Sequence, residues 1–186
     1  MIATILSSLM LFGGPPTTVC PIMGNTANPK GPTVEYNGAV YAFCCGGCDT
    51  KFAKDPAAAL KNPALKGKIA GTYLFDPVSG NRVHPGEVTL FAGFEGTRFF
   101  FENEKNLAAF KADSKKYGKL PAKEAMNCPV TGEAVEAYSD ASGFADVDGV
   151  RYYFCCGGCE KGFTAAKLNP EAKKHVGVPK AIAVKK

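Results

Sequence analysis

The chain has 186 residues, 46% of them hydrophobic, with 8 Cys, 21 Gly, 13 Pro and no Trp. Its formal net charge is +5, but the Lys and Arg are dispersed, with no basic run and no basic helix interleaved with aromatics. That pattern reads as a solvated surface and argues against a nucleic-acid partner.

Residues 2–12 are apolar with only small polar interruptions and are followed by Gly13-Gly14-Pro15-Pro16. Such a stretch is too short to span a bilayer as a helix and has the length of a secretory signal core, although no Lys or Arg precedes it. The expectation is a signal peptide or packed apolar segment over 1–16, an exported or periplasmic protein with a cytoplasmic one as the alternative, and no transmembrane span.

The remaining chain reads as three copies of one unit. The first, over 17–62, carries Cys20-Pro21-Ile22-Met23-Gly24, then Tyr41-Ala42-Phe43-Cys44-Cys45-Gly46-Gly47-Cys48, then Phe52. Apolar runs at 33–36 and 39–43 flank Asn37-Gly38, a two-residue hairpin signal. A helix is expected from about Cys48, with Phe52 facing a small core of its own unit.

The second unit, over 72–116, keeps this skeleton without thiols. Asp76-Pro77-Val78-Ser79-Gly80 and Arg98-Phe99-Phe100-Phe101 match the motifs of the cysteine-bearing units, and Phe110 matches Phe52. The four cysteine positions hold Asp76, Glu102, Asn103 and Asn106, which are oxygen-bearing and poor ligands for a thiophilic ion. A helix is expected from about Asn106, with extra phenylalanines, Phe91 and Phe94 among them, replacing part of a metal's contribution.

The third unit, over 124–178, carries Cys128-Pro129-Val130-Thr131-Gly132, then Tyr152-Tyr153-Phe154-Cys155-Cys156-Gly157-Gly158-Cys159, then Phe163. Strands are expected at 143–147 and 150–154 around Asp148-Gly149, then a helix from about Cys159 that includes Phe163. Residues 61–71 and about 115–125 read as linkers, and 179–186 as a tail. The only histidines, His84 and His175, have no counterpart in another unit and read as surface residues.

All eight cysteines, Cys20, Cys44, Cys45, Cys48, Cys128, Cys155, Cys156 and Cys159, fall on matched positions. A thiophilic ion needs several thiolates converging at about 2.3 Å. Cys45-Gly46-Gly47-Cys48 and Cys156-Gly157-Gly158-Cys159 bring two sulfurs together in a tight turn, with glycines that permit positive φ. Cys20 and Cys128 add a third sulfur, and the helix starts at Cys48 and Cys159 are expected to favour thiolates there. The adjacent pairs Cys44/Cys45 and Cys155/Cys156 can both reach one ion only if the strand ends first. Four-thiolate sites and three-thiolate sites with one non-ligand cysteine therefore both stand. Disulfides, an iron–sulfur cluster and thioredoxin-like redox chemistry are the competing uses of these cysteines. The mirrored Cys-Cys-Gly-Gly-Cys spacing, the absence of ferredoxin spacing and the absence of a βαβ pattern argue against them in turn.

The pattern Cys-Pro-x-x-Gly, then aromatic-x-Phe-Cys-Cys-Gly-Gly-Cys, then Phe, resembles the YHS domain family. That family overlaps the TRASH domain, which is associated with heavy-metal trafficking, resistance and sensing. The three-cysteine TRASH pattern maps onto Cys20, Cys44 and Cys48, and onto Cys128, Cys155 and Cys159. The gaps here are longer than usual, Cys45 and Cys156 are additional, and no Tyr-His-Ser tripeptide occurs. The resemblance implies an α+β chain of three small treble-clef-like units, each a hairpin followed by a short helix. The functional expectation is a non-enzymatic protein that binds two zinc or copper(I) ions and handles or senses metal. The alternative is a structural-zinc module whose surface binds a protein partner.

Overall fold

The computed structural model describes residues 17–183, so the apolar segment over 1–16 lies outside the described residues. The fold is mixed α/β, built on three two-residue hairpins. Strands β1 (Thr33–Tyr36) and β2 (Ala39–Ala42) are followed by helices α1 (Cys48–Lys54) and α2 (Pro56–Ala59). Strand β3 (Gly71–Tyr73) precedes the second hairpin, β4 (Phe91–Phe94) and β5 (Thr97–Phe100), and helices α3 (Glu104–Ala112) and α4 (Ser114–Tyr117). Strand β6 (Glu124–Ala125) precedes the third, β7 (Gly143–Val147) and β8 (Val150–Phe154). Helices α5 (Gly157–Glu160) and α6 (Pro170–Lys174) and strand β9 (Ile182–Ala183) follow.

Each hairpin turns on two residues with positive φ: Asn37 and Gly38, Glu95 and Gly96, Asp148 and Gly149. These are the conformations of a type I′ turn, whose twist matches that of the flanking strands. Glu95 is the costly member, because a residue other than Gly, Asn or Asp seldom adopts φ near its 45°.

The first two hairpins share a six-stranded sheet in the order β4-β5-β3-β2-β1-β9, and the third forms a three-stranded sheet, β6-β8-β7. Strand β3 joins the first two by pairing antiparallel to β2 and parallel to β5. Strand β6 pairs parallel to β8 in the matching register, Glu124 against Arg151 as Thr72 lies against Arg98. The expected tail is therefore partly a strand: Ile182 and Ala183 pair with Glu35 and Val34 and cover the outer edge of β1. Covering an edge in this way satisfies backbone groups that would otherwise face solvent.

The expectation of separate small cores is also corrected. One apolar cluster contains Cys20, Phe43, Cys48 and Phe52 together with Phe75, Phe99, Phe101 and Phe110, and with Tyr138 and Tyr153. Phe52 packs on Tyr41 at 4.8 Å between ring centroids, and Phe110 on Phe101 at 5.1 Å. Phe163 behaves differently. Helix α5 ends at Glu160, Gly162 takes a positive φ, and Phe163 lies beyond it, half-buried against Phe154 in a small separate cluster. Two glycines inside this helix each cost about 1 kcal/mol relative to Ala, which limits its length. Helix α3 starts at Glu104 rather than Asn106, because the Asn103 side chain caps it by accepting from the Asn106 N–H.

Buried polar contacts lock the third hairpin onto the large sheet. Arg151 forms a two-point ion pair with Asp146 at 2.7 and 2.8 Å, donates to the Tyr73 hydroxyl and lies over the Phe144 ring. Glu124 accepts from the hydroxyls of Tyr138 and Tyr153, and Glu35 accepts from the Ser139 N–H. With every partner satisfied, such a network fixes one relative placement of the elements.

Candidate metal centres

Three turns present the residues at issue, and the same hydrogen bonds close each of them. The N–H of Cys20 donates to Asn25 and that of Gly24 returns to Cys20; Asp76 with Asn81 and Gly80, and Cys128 with Glu133 and Gly132, repeat both bonds. Gly24, Gly80 and Gly132 all have positive φ, the conformation glycine adopts without steric cost. An isolated bridge also spans each turn: Val19 to Thr26, Phe75 to Arg82 and Asn127 to Ala134.

In the first turn the sulfurs of Cys20, Cys44 and Cys48 lie within 4.8 Å of one another, and in the third those of Cys128, Cys155 and Cys159 do the same. Strand β2 ends at Ala42 and β8 at Phe154, so the alternation of side chains stops before the cysteine pair in each case. Cys45 consequently comes within 3.7 Å of Cys44 and 3.2 Å of Cys48, and Cys156 within 3.4 Å of Cys159, sulfur to sulfur. Cys45 and Cys156 are exposed, while the first and last cysteine of each group are buried. All eight are free thiols. A tetrahedral zinc–thiolate site separates its sulfurs by roughly 3.8 Å, so each triad needs only a small contraction to hold an ion, with the exposed cysteine at its rim.

The expected positive φ among the Cys-Gly-Gly-Cys glycines occurs at Gly47 alone, just before α1; Gly157 and Gly158 instead form the first residues of α5.

The expected thiolate at each helix start is also corrected. Burial, with the neighbouring sulfurs of Cys45 and Cys20, pushes Cys48 up to about 12, and burial likewise raises Cys159. The depressed thiols are those in the turns. Burial acts to raise Cys20, but the N–H groups of Cys44, Met23 and Ile22 outweigh it and hold the thiol below its ordinary value. Cys128 is held at about 7, where burial is opposed by the N–H groups of Cys155, Thr131 and Val130 and by the Thr131 hydroxyl. A short helix offers a weak dipole, whereas a turn aims several N–H groups at one sulfur.

The cysteine-free turn shows what replaces the triad. The buried Asp76 carboxylate accepts from the N–H groups of Val78 and Glu102, both at 2.9 Å, and from the Asn106 side-chain amide at 2.8 Å. Positions 76, 102 and 106, equivalent to those of the triads, are thus joined by hydrogen bonds. Glu102 turns outward to Ser79 and Asn81.

Asn62 and Asn169, which sequence reasoning did not single out as site residues, brace the cysteine turns. The Asn62 amide donates to the carbonyls of Pro21 and Ile22, and the Asn169 amide to that of Val130. Both precede a proline that opens a short helical turn, so an Asn-Pro at matching distance after each Cys-Pro was the available signal. His84 and His175 are exposed, as expected. Among the described residues no helix is long and apolar enough to cross a membrane.

No curated protein and no solved structure matches the chain. A family model for a C-terminal TRASH domain matches residues 18–56, which contain Cys20, Cys44, Cys45 and Cys48. That match and the two sulfur triads together support a TRASH-type relationship and metal binding.

Proposed function

We propose that the chain is a non-enzymatic metal-binding protein made of three YHS/TRASH-like units, with one thiolate site in each outer unit, and that it handles or senses a thiophilic ion. The observation that carries this reading is the pair of matching sulfur triads, each with an exposed cysteine at its rim. Three soft donors suit zinc or copper(I). An exposed sulfur in contact with a buried one gives an incoming ligand a place to start exchange, which a purely structural site has no need of. Cys20, Cys44 and Cys48 would hold one ion and Cys128, Cys155 and Cys159 the other.

The test is metal content by native mass spectrometry on protein purified with its thiols reduced. Two ions per chain are expected, with Cys48→Ser and Cys159→Ser each removing one and leaving the other. No metal, or loss of both ions from either single change, overturns the reading. Transfer to a competing chelator then separates the roles: release with the fold intact marks a carrier or sensor. Release only on unfolding marks the structural-zinc module.

A further inference from the structure

The two sulfur triads differ in what stands beside them, and the difference sits at two positions of the common turn. In the middle and third turns, the side chains three and five residues past the first ligand position face the residue at the end of the hairpin. In the middle turn, the Ser79 hydroxyl donates to Glu102 at 2.7 Å, and the Asn81 amide donates to the same carboxylate at 3.0 Å. In the third turn, Thr131 Oγ1 and Glu133 Oε2 each lie 3.7 Å from Cys155 Sγ, and 3.2 Å from each other. The first turn has the same closing bonds, and the residues at its equivalent positions are Met23 and Asn25. Met23 is 53% exposed, so its thioether is accessible from solvent.

A thioether is a soft, neutral donor suited to copper(I), whereas hydroxyl and carboxylate oxygens are hard donors. A carboxylate also adds negative charge to three thiolates, which favours a divalent over a monovalent ion. On the metal-binding reading above, we infer that the two sites are chemically distinct. The Cys20 site takes copper(I), with Met23 as an additional sulfur ligand. The Cys128 site, flanked by Thr131 and Glu133, takes a divalent ion of the zinc class.

The experiment loads the reduced full-length protein anaerobically with one equivalent each of copper(I) and zinc(II). Native mass spectrometry counts the ions, and copper X-ray absorption reads the donor atoms. The expected product carries one copper and one zinc, with the copper in all-sulfur coordination. Met23→Leu keeps the apolar bulk and removes the sulfur. It should weaken copper(I) on the order of tenfold against a copper(I)-selective chelator while leaving zinc content unchanged. Met23→Thr should do the same. Unchanged copper(I) affinity in Met23→Leu, or a random mixture of two-copper and two-zinc species, overturns the inference while leaving two-site binding intact. Protein that takes up neither ion overturns both.

Discussion

Within each triad the cysteines do not carry equal proton affinity, and the cause is local backbone geometry. The turn sulfur collects N–H groups from its own turn and from the end of the hairpin, while the last cysteine is buried beside other sulfurs with less to offset that burial. A bound ion must therefore displace protons from the raised thiols at any ordinary pH. Cys128 is different, because it loses its own proton near pH 7. As pH falls below that value, one more proton competes for the third-turn site, so affinity should fall with acidity and fall more steeply there by one proton. Competition titrations across pH against a chelator of known protonation behaviour, on Cys48→Ser protein that retains only this site, measure the slope. Affinity that is flat across this range would show that the thiols are already ionised without metal.

At the scale of single elements, the middle turn shows that the same backbone can be closed without thiols. Asp76 stands where Cys20 and Cys128 stand, and its two oxygens accept from the Val78 N–H within the turn and from the Glu102 N–H and the Asn106 amide at the positions that carry ligands elsewhere. Asp76→Ala would strand these donors and should cost about 3 kcal/mol in urea unfolding, since buried donors left unpaired cost about 1–3 kcal/mol each. A loss under about 1 kcal/mol would mean that the turn holds itself. The hairpins and cysteine groups were legible in the sequence because Asn-Gly, Asp-Gly and Cys-Gly-Gly-Cys act locally. The Glu95-Gly96 turn was harder to read because Glu carries no preference for its φ of 45°. Of the phenylalanines expected to offset a missing metal, Phe99, Phe100, Phe101 and Phe110 are buried, whereas Phe91 is 40% exposed on the sheet's edge strand. The pairing of β9 with β1, and the shared core, depend on contacts between residues far apart in the chain, which no local pattern specifies.

Across the whole molecule, the core decides how far stability depends on metal. Units of this size would need metal if each stood alone. Here Cys20 and Cys48 sit in the main cluster with Phe43, Phe52, Phe75 and Phe110, so the first site is embedded in apolar packing that involves no ion. Each fully buried large side chain there contributes about 1.5–3 kcal/mol. The third-turn site is placed otherwise. Cys128 and Cys159 form a small cluster with Phe154, outside the main core, and α5 is only four residues long. If each triad holds an ion as proposed, stripping the metal with a chelator should therefore leave amide protection high in β2, β3 and β5. Around α1 it should fall modestly, and through α5 and the segment up to Leu168 it should be lost. Hydrogen exchange followed by mass spectrometry on holo and stripped protein reads all three regions in one experiment. Collapse of protection in β3 would mean that the aromatic core cannot stand without metal. Equal loss around α1 and α5 would mean that embedding in the main cluster gives the first site no independence from its ion.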